Sequence, residues 1–245
     1  MTQTTSQPRP DQVAALTRGL ALPLPPIADA HLSVVLETIS AAWTELINEG
    51  QLALTAGNEA EINALLEAQL NYHCQSDLIW SQLVGSVARG KETVSYNGSQ
   101  LETRPDLSIY LTGCYPNFPI VVECKLIDHP NGKGVDLYCN NGVARFVSGQ
   151  YSWAKREAIM LGYVRDGSSV DSKLTPHLAK LANAKPDPLA TTATPSSRTQ
   201  VHPVTQFTEH ARNFTYLPEA GGTSPGAIIL SHLWLQIERI ATETT

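Results

Sequence analysis

Asp106, Glu123 and Lys125 are the residues of this sequence whose types and spacing suit chemistry at a divalent cation. Asp106 follows Pro105 before one apolar segment, and Glu123 lies inside a second segment, seventeen positions later (123 − 106). Mg²⁺ prefers oxygen ligands, so Asp106 and Glu123 could hold an ion to which the backbone carbonyl of Cys124 adds a ligand. Lys125 could orient or deprotonate a water molecule, or stabilise charge that develops on a phosphate.

Two predicted strands must position these side chains. Residues 104–111 and 118–127 are rich in β-branched and aromatic residues, and the glycine, proline and asparagine between them favour a hairpin. Side chains alternate across a strand, so Glu123 and Lys125 point to the same face. Asp106 begins the corresponding face of the first strand. The hairpin can therefore bring two carboxylates and one ammonium group to a single patch.

A solvated strand surface is the alternative interpretation, because charged residues at strand ends are usually exposed to water. Here, however, Glu123 and Lys125 follow the run 120–122 and precede Leu126 and Ile127, all of which are apolar. Burial of charge without a partner or a metal is costly. The pattern therefore favours a functional metal site over a solvated strand.

The pattern Pro-Asp…Glu-x-Lys resembles the signature of the PD-(D/E)XK nuclease superfamily, over about residues 59–164. The resemblance implies an α/β fold, the restriction-endonuclease-like central mixed β-sheet flanked by helices. An extra N-terminal helix and C-terminal strands would be additions to that core. The resemblance also implies Mg²⁺ or Mn²⁺ as the cofactor, hydrolysis that leaves 5′-phosphate and 3′-hydroxyl ends, and frequent homodimer formation.

Two further catalytic candidates follow from this resemblance. The superfamily often places an acidic residue on its first core helix. Asn58 is a suitable N-cap for a predicted helix over 58–73, and Glu59 follows it in the first turn, where it could equally interact with the helix dipole. A basic or amide side chain on the crossover helix often approaches the scissile phosphate. Gln150, in a predicted helix over 143–157, could have that role.

Five basic side chains are candidates for nucleic-acid contacts. Three belong to the predicted crossover helix and two to a predicted strand near the end of the chain. A solvated helix face explains the three helix residues equally well. An ordinary surface position explains the two strand residues better. The candidates are Arg145, Lys155, Arg156, His210 and Arg212.

The chain is predicted to hold one domain. Proline-rich residues 1–26 are expected to form a flexible arm, and 27–245 a single nuclease-like domain with a surface loop at 185–202. Within the domain, we expect a helix over 27–49, a hairpin over 84–101 and a long loop over 128–142. A helix over 143–157 followed by a strand over 158–164 predicts a parallel, right-handed crossover.

Composition limits the alternatives. The 245 residues carry a net charge of −6, so any contact with nucleic acid would depend on local basic clusters. The four cysteines lack zinc-binding spacing, and no apolar run reaches membrane-spanning length. The first ten residues lack the features of a secretory signal, which predicts a cytoplasmic protein.

The function that these observations predict is metal-dependent hydrolysis of phosphodiester bonds, with DNA favoured over RNA. Restriction, anti-phage defence and repair are suitable settings for it. The alternative is a catalytically silent nuclease-like module that binds nucleic acid or a partner protein within a larger assembly. Absence of a glycine-rich phosphate loop or a nucleophile motif disfavours an unrelated small-molecule enzyme.

Overall fold

A computed structural model describes residues 7–237 and shows an α/β protein, in which helices flank a mixed seven-stranded sheet. The strand order is β1-β2-β3-β4-β7-β6-β5. Strands β3, β4 and β7 are mutually parallel in the centre, and the remaining pairs are antiparallel. The strands are β1 (Val84–Arg89), β2 (Leu107–Leu111), β3 (Ile120–Ile127), β4 (Glu157–Val164), β5 (Thr191–Ser197), β6 (Gln206–His210) and β7 (Ile228–Gln236).

Most of the α-helices are short, and two π-helical segments adjoin them. None of the helices in the described part of the chain is long and apolar enough to cross a membrane. The α-helices are α1 (Pro10–Thr17), α2 (Asp29–Asn48), α3 (Leu52–Ala56), α4 (Glu59–Ser76), α5 (Leu78–Leu83), α6 (Val135–Tyr138), α7 (Ala144–Val147) and α8 (Thr175–Ala182). The π-helices are Cys139–Val143 and Val170–Leu174, and 3₁₀ turns occupy His129–Asn131 and Pro218–Ala220.

The two faces of the sheet pack against different helices. Helices α2, α4 and α5 cover one face, where Leu36, Leu66 and Trp80 join the larger hydrophobic cluster. The helices between β3 and β4, together with α8, cover the other face, with Tyr138 and Phe146 at the centre of a second cluster. The central strands β3 and β4 are therefore buried along their whole length.

The predicted hairpin of β2 and β3 is confirmed. Its register pairs Leu107 with Val122, so Asp106, one residue before β2, lies at the level of Glu123. The predicted helices over 27–49 and 58–73 are confirmed as α2 and α4, with ends shifted by a few residues. These elements are the ones that position the predicted site.

The crossover between β3 and β4 differs from the prediction. A nearly continuous helical segment covers 135–147, where we expected mostly loop, and turns occupy 148–156, where we expected helix. The helix ends there because Gly149 adopts a left-handed conformation, with φ of 73°. Gly142 lies inside the helical segment, where a Cβ atom would come within 2.5 Å of Met160 Cε, so a larger residue there would require the Met160 side chain to move. The predicted parallel connection itself is confirmed.

Two other predictions need correction. Strand β1 pairs with β2, so the predicted hairpin over 84–101 is wrong, and Thr93 forms only an isolated bridge with Thr103. The predicted surface loop over 185–202 contains the edge strand β5, whose side chains are mostly exposed. Its mixed Thr, Ser and Pro composition resembles a loop because an exposed edge strand needs no apolar face.

The N-terminal segment, predicted to be a flexible arm, is folded against the domain in its described part. Pro10–Thr17 forms α1, and Val13 and Leu24 are buried in a third hydrophobic cluster with Trp153 and Phe214. The prolines that exclude a long helix still permit one short helix that starts with proline. Residues 1–6 and 238–245 of the predicted arm and domain lie outside the described range.

The N-terminus of α4 offers a direct test of how that helix is held. The side chain of Asn58 accepts a hydrogen bond from Glu61 N, and the Glu61 side chain accepts one from Asn58 N, a reciprocal capping box. We expect Asn58→Ala to lower the free energy of unfolding by about 1 kcal/mol, as measured by urea denaturation. Asn48→Ala, an exposed substitution at the end of α2, should leave it almost unchanged; equal effects of the two would contradict the capping role.

Candidate active site

Lys125 lies at the centre of a cluster of carboxylates. Its ammonium Nζ donates hydrogen bonds to Glu123 Oε1 and to the carbonyl of Cys124, both at 2.7 Å. The same Nζ is 3.5 Å from Asp106 Oδ2 and 3.8 Å from Glu59 Oε2. Burial would lower the pKa of Lys125, but the surrounding carboxylates, above all Glu123 and Asp106, outweigh burial and raise it. Lys125 is therefore a cation at neutral pH, which favours orienting and charge-stabilising roles over proton abstraction.

Asp106 is held in place by groups from three elements. Its Oδ2 accepts a hydrogen bond of 2.8 Å from Cys124 N, and its Oδ1 accepts one of 3.1 Å from Asn63 Nδ2. Tyr163 of β4 in turn donates to Asn63 Oδ1 at 2.7 Å. Asn63 and Tyr163 thus fix the orientation of the carboxylate. Sequence reasoning missed both, because neither forms a local motif with Asp106.

Glu59, the acidic candidate on the first core helix, does reach the site. The capping box described above starts α4 at this residue, which places its side chain beside β3. Its Oε1 accepts a hydrogen bond of 3.0 Å from Leu126 N, and its other oxygen faces Lys125. About one third of the side chain is exposed, so Glu59 is accessible as well as anchored.

Glu123 is almost fully buried, with 1% of its side chain exposed. Its Oε1 accepts hydrogen bonds from Lys125 and from Arg145 Nη1, the latter at 3.0 Å. Its Oε2 is buried and has no hydrogen-bond partner within residues 7–237. Burial, reinforced by the charge of Asp106, raises the pKa of Glu123 to about 7 in spite of the two cations. Glu123 therefore has one buried acceptor that no group within the described residues fills.

Arg145 is the one predicted nucleic-acid contact that the structure brings to this cluster. It reaches Glu123 from α7, donates to the Tyr151 hydroxyl at 2.8 Å and lies over the Tyr151 ring. The Tyr151 hydroxyl donates to the carbonyl of Arg104, just before Asp106. About one third of the Arg145 side chain remains exposed. Tyr151 is a further positioning residue, which no local sequence pattern identifies.

An open cavity of about 560 Å³ adjoins the cluster on the side of Arg145. Gln150 lines this cavity together with Arg145, Tyr151 and residues 100–104. Gln150 is thus near the site, although it lies in a turn and not on a helix as predicted. The cavity would let a polymeric anion approach Arg145 from solvent.

The other four basic candidates lie away from the cluster. Lys155 is buried and lines a separate cavity, and Arg156 is exposed just before β4. His210 is completely buried, where its ring nitrogens contact Thr208 and the carbonyl of Leu189. Its burial lowers the pKa of His210, which favours the neutral form.

Arg212 is also buried, and its guanidinium is used in contacts with the backbone. Its guanidinium donates to backbone carbonyls of residues 153, 155, 225 and 226 at 2.6–3.2 Å, and 6% of the residue is exposed. Neither His210 nor Arg212 is placed to reach a phosphate, so the predicted contacts do not fit the structure. The polar pattern that suggested a surface strand belongs to a buried hydrogen-bond network.

The side chains and carbonyls around Lys125 offer oxygen donors, which a divalent cation such as Mg²⁺ prefers. No group of three or more His, Cys, Asp or Glu side chains in the described range is arranged to hold a metal ion. The donors that converge are the carboxylates of Asp106 and Glu123 and the carbonyl of Cys124, all oxygen ligands. One or two carboxylates with a carbonyl and water can suffice for Mg²⁺. The unpartnered Glu123 Oε2 therefore makes the set compatible with such an ion.

Comparisons with protein-family models, with curated proteins and with solved structures gave no match to this chain. What the site can do must therefore be inferred from its own geometry.

The raised pKa of Glu123 makes stability depend on pH. Because the pKa is about 7 in the folded protein and 4.5 ordinarily, the folded state disfavours the ionised carboxylate, and stability is lost as pH rises between those values. When the pH is raised from about 5 to about 8 in EDTA, the free energy of unfolding of the native protein should fall by up to roughly 3 kcal/mol more than that of the Glu123→Gln variant. Urea denaturation of both proteins at about pH 5 and about pH 8 measures this difference. Parallel pH profiles for the two proteins would contradict it.

Proposed function

We propose that this protein is a metal-dependent nuclease, with DNA favoured over RNA, built on a restriction-endonuclease-like core. The observation that carries the proposal is that the carboxylates of Asp106 and Glu123, at neighbouring positions of a hairpin, both lie within 3.5 Å of the Lys125 ammonium nitrogen. Unrelated surface charges would not be expected to meet inside a buried central strand. The cluster matches the Pro-Asp…Glu-x-Lys pattern that suggested the chemistry.

The order of elements supports the fold part of the proposal. Helix α4 precedes β1, β2 and β3, and a helical crossover leads to the parallel strand β4. This is the succession that the resemblance implies for a nuclease core. Helices α1 and α2 and strands β5 to β7 would then be the N-terminal and C-terminal additions.

Asp106, Glu123 and the carbonyl of Cys124 are the groups that would hold Mg²⁺ or Mn²⁺. When bound, such an ion supplies Lewis-acid activation of a phosphate oxygen and of a water molecule. Asn63 and the backbone amide of Cys124 would keep Asp106 oriented throughout, since both donate to it. The pKa of Glu123, about 7, implies that the carboxylate becomes fully available only above neutral pH.

Lys125 and Arg145 are the side chains that would act on the substrate. The Lys125 ammonium, stabilised by three carboxylates, can orient a water molecule and balance negative charge on the phosphate. Arg145, which faces the open cavity, can bind a phosphate oxygen with the part of its guanidinium not used by Glu123. These roles are electrostatic and need no proton transfer from either cation.

A catalytically silent nuclease-like module is the second candidate, and one observation favours it. The Lys125 ammonium occupies the space between the carboxylates and already pairs with them. The cluster could therefore be a self-sufficient ion-pair network. The net charge of −6 also gives the chain no general attraction for nucleic acid.

Nicking of supercoiled plasmid in Mg²⁺ or Mn²⁺ distinguishes the two candidates. We expect cleavage by the native chain, and a loss of about 10²-fold or more in Asp106→Asn and Lys125→Met, because both remove transition-state stabilisation. Glu219→Gln and Lys180→Met, at exposed positions, are matched controls that should retain activity. Cleavage that persists in all variants would indicate a contaminant, and folded native protein without cleavage would support the silent module.

Thermal unfolding with and without Mn²⁺ separates metal binding from catalysis. Lys125→Met should keep or increase the metal-dependent rise in Tm, because it removes a cation that competes for the same oxygens. Asp106→Asn should abolish that rise, because it removes a ligand. A Tm of the native protein that does not respond to the metal would contradict the proposed ligand set.

A further inference from the structure

A second cavity, of about 350 Å³, lies at the other end of the hairpin. Its walls include the rings of Tyr110, Phe118 and Trp153. Phe118 and Trp153 meet edge to face, with ring centroids 5.3 Å apart. Leu16 of α1 contributes another wall. A cavity of this size with aromatic walls suits a planar organic group.

Lys155 lines this cavity and has no ion-pair or hydrogen-bond partner for its ammonium group within residues 7–237. Only 5% of the residue is exposed, and burial lowers the pKa of Lys155. The charge of the nearby Glu157 opposes this shift, but no group of the described residues contacts the Lys155 ammonium directly, and a cation in that position is costly to bury. An anion bound in the cavity would supply the missing partner. The lining also holds Lys91, which is exposed, and Glu92, whose carboxylate pairs with Arg104.

The cavity shares a sheet face with the proposed active site. Tyr110 lies four residues beyond Asp106 (110 − 106), and Pro119 lies four residues before Glu123 (123 − 119). At about 3.3 Å per residue, the cavity is about 13 Å from the carboxylate cluster along the strands. Since side chains alternate, these even offsets place the cavity and the cluster on one side of the hairpin. A nucleic-acid chain that extends from the cluster along the strands would reach the cavity.

We propose that this cavity binds one nucleoside phosphate, with the base against the aromatic walls and the phosphate on Lys155. The proposal rests on the proposed function, because it assigns the cavity to the same substrate class. Asn117, at the edge of the lining, offers an amide whose hydrogen-bonding groups have no partner in the described part of the chain and can contact the base edge. Free nucleotides and the terminal nucleotides of a chain share this chemistry.

Calorimetric titration of the full chain in EDTA with nucleoside 5′-monophosphates tests the proposal without any cleavage. We expect saturable binding that Lys155→Met weakens at least about tenfold, because a buried charge-assisted contact is lost. Lys180→Met, on the exposed side of α8, is the matched control and should bind normally. If Lys155→Met does not fold, Tyr110→Ala should weaken nucleotide binding because it removes an aromatic wall of the cavity. Tyr72→Ala, at an exposed tyrosine, is its control and should bind normally.

Further titrations resolve each part of the contact. An unphosphorylated nucleoside and inorganic phosphate should both bind more weakly than the nucleotide; equal binding of phosphate alone would overturn the base contact. A 5′-phosphorylated dinucleotide that binds more tightly than the mononucleotide assigns the cavity to chain ends, and equal affinity assigns it to free nucleotides. No nucleotide binding, or unchanged affinity in the folded variants, would overturn the proposal. Nucleotide binding without plasmid cleavage would support the cavity while the nuclease proposal fails.

Discussion

The charge balance around Lys125 is the interaction on which the rest of the site depends. Strand β3 is buried on both faces, yet it carries a carboxylate and an ammonium two residues apart. Their burial is tolerated because they pair directly, at 2.7 Å, and because Glu59 of α4, Asp106 at the start of β2 and Arg145 of α7 each bring another charge to the pair. Removal of any one partner would leave a charge in a low-dielectric setting. The cluster therefore constrains the positions of four separate elements.

Local patterns were sufficient to predict the elements nearest the site. Alternation along residues 107–127, with turn-forming residues between two apolar runs, indicated both the hairpin and the shared face of Asp106 and Glu123. Asn58 indicated the start of α4, and with it the approach of Glu59. These predictions depend on side-chain direction and capping, which neighbouring residues determine.

What could not be predicted depends on contacts between distant parts of the chain. Gly142 looked like a loop residue, but it lies in a π-helical turn that packs against the side chain of Met160. Asn63 and Tyr151 support the cluster only through tertiary hydrogen bonds. Arg212 looked like a surface cation, yet backbone carbonyls surround it. In each case, the identity of the residue is informative only once its distant neighbours are known.

Helix α1 supplies a wall of the second cavity through Leu16, although this residue lies near the start of the chain and far from the other lining residues in sequence. Val13 and Leu16 of α1 pack in the third hydrophobic cluster, outside the central sheet, so α1 could separate from the body without disruption of that sheet. Access to the cavity would then depend on whether α1 is docked. An occupant that contacts Leu16 would favour the docked position of α1. Binding in the cavity should then protect α1 from proteolysis and from hydrogen exchange.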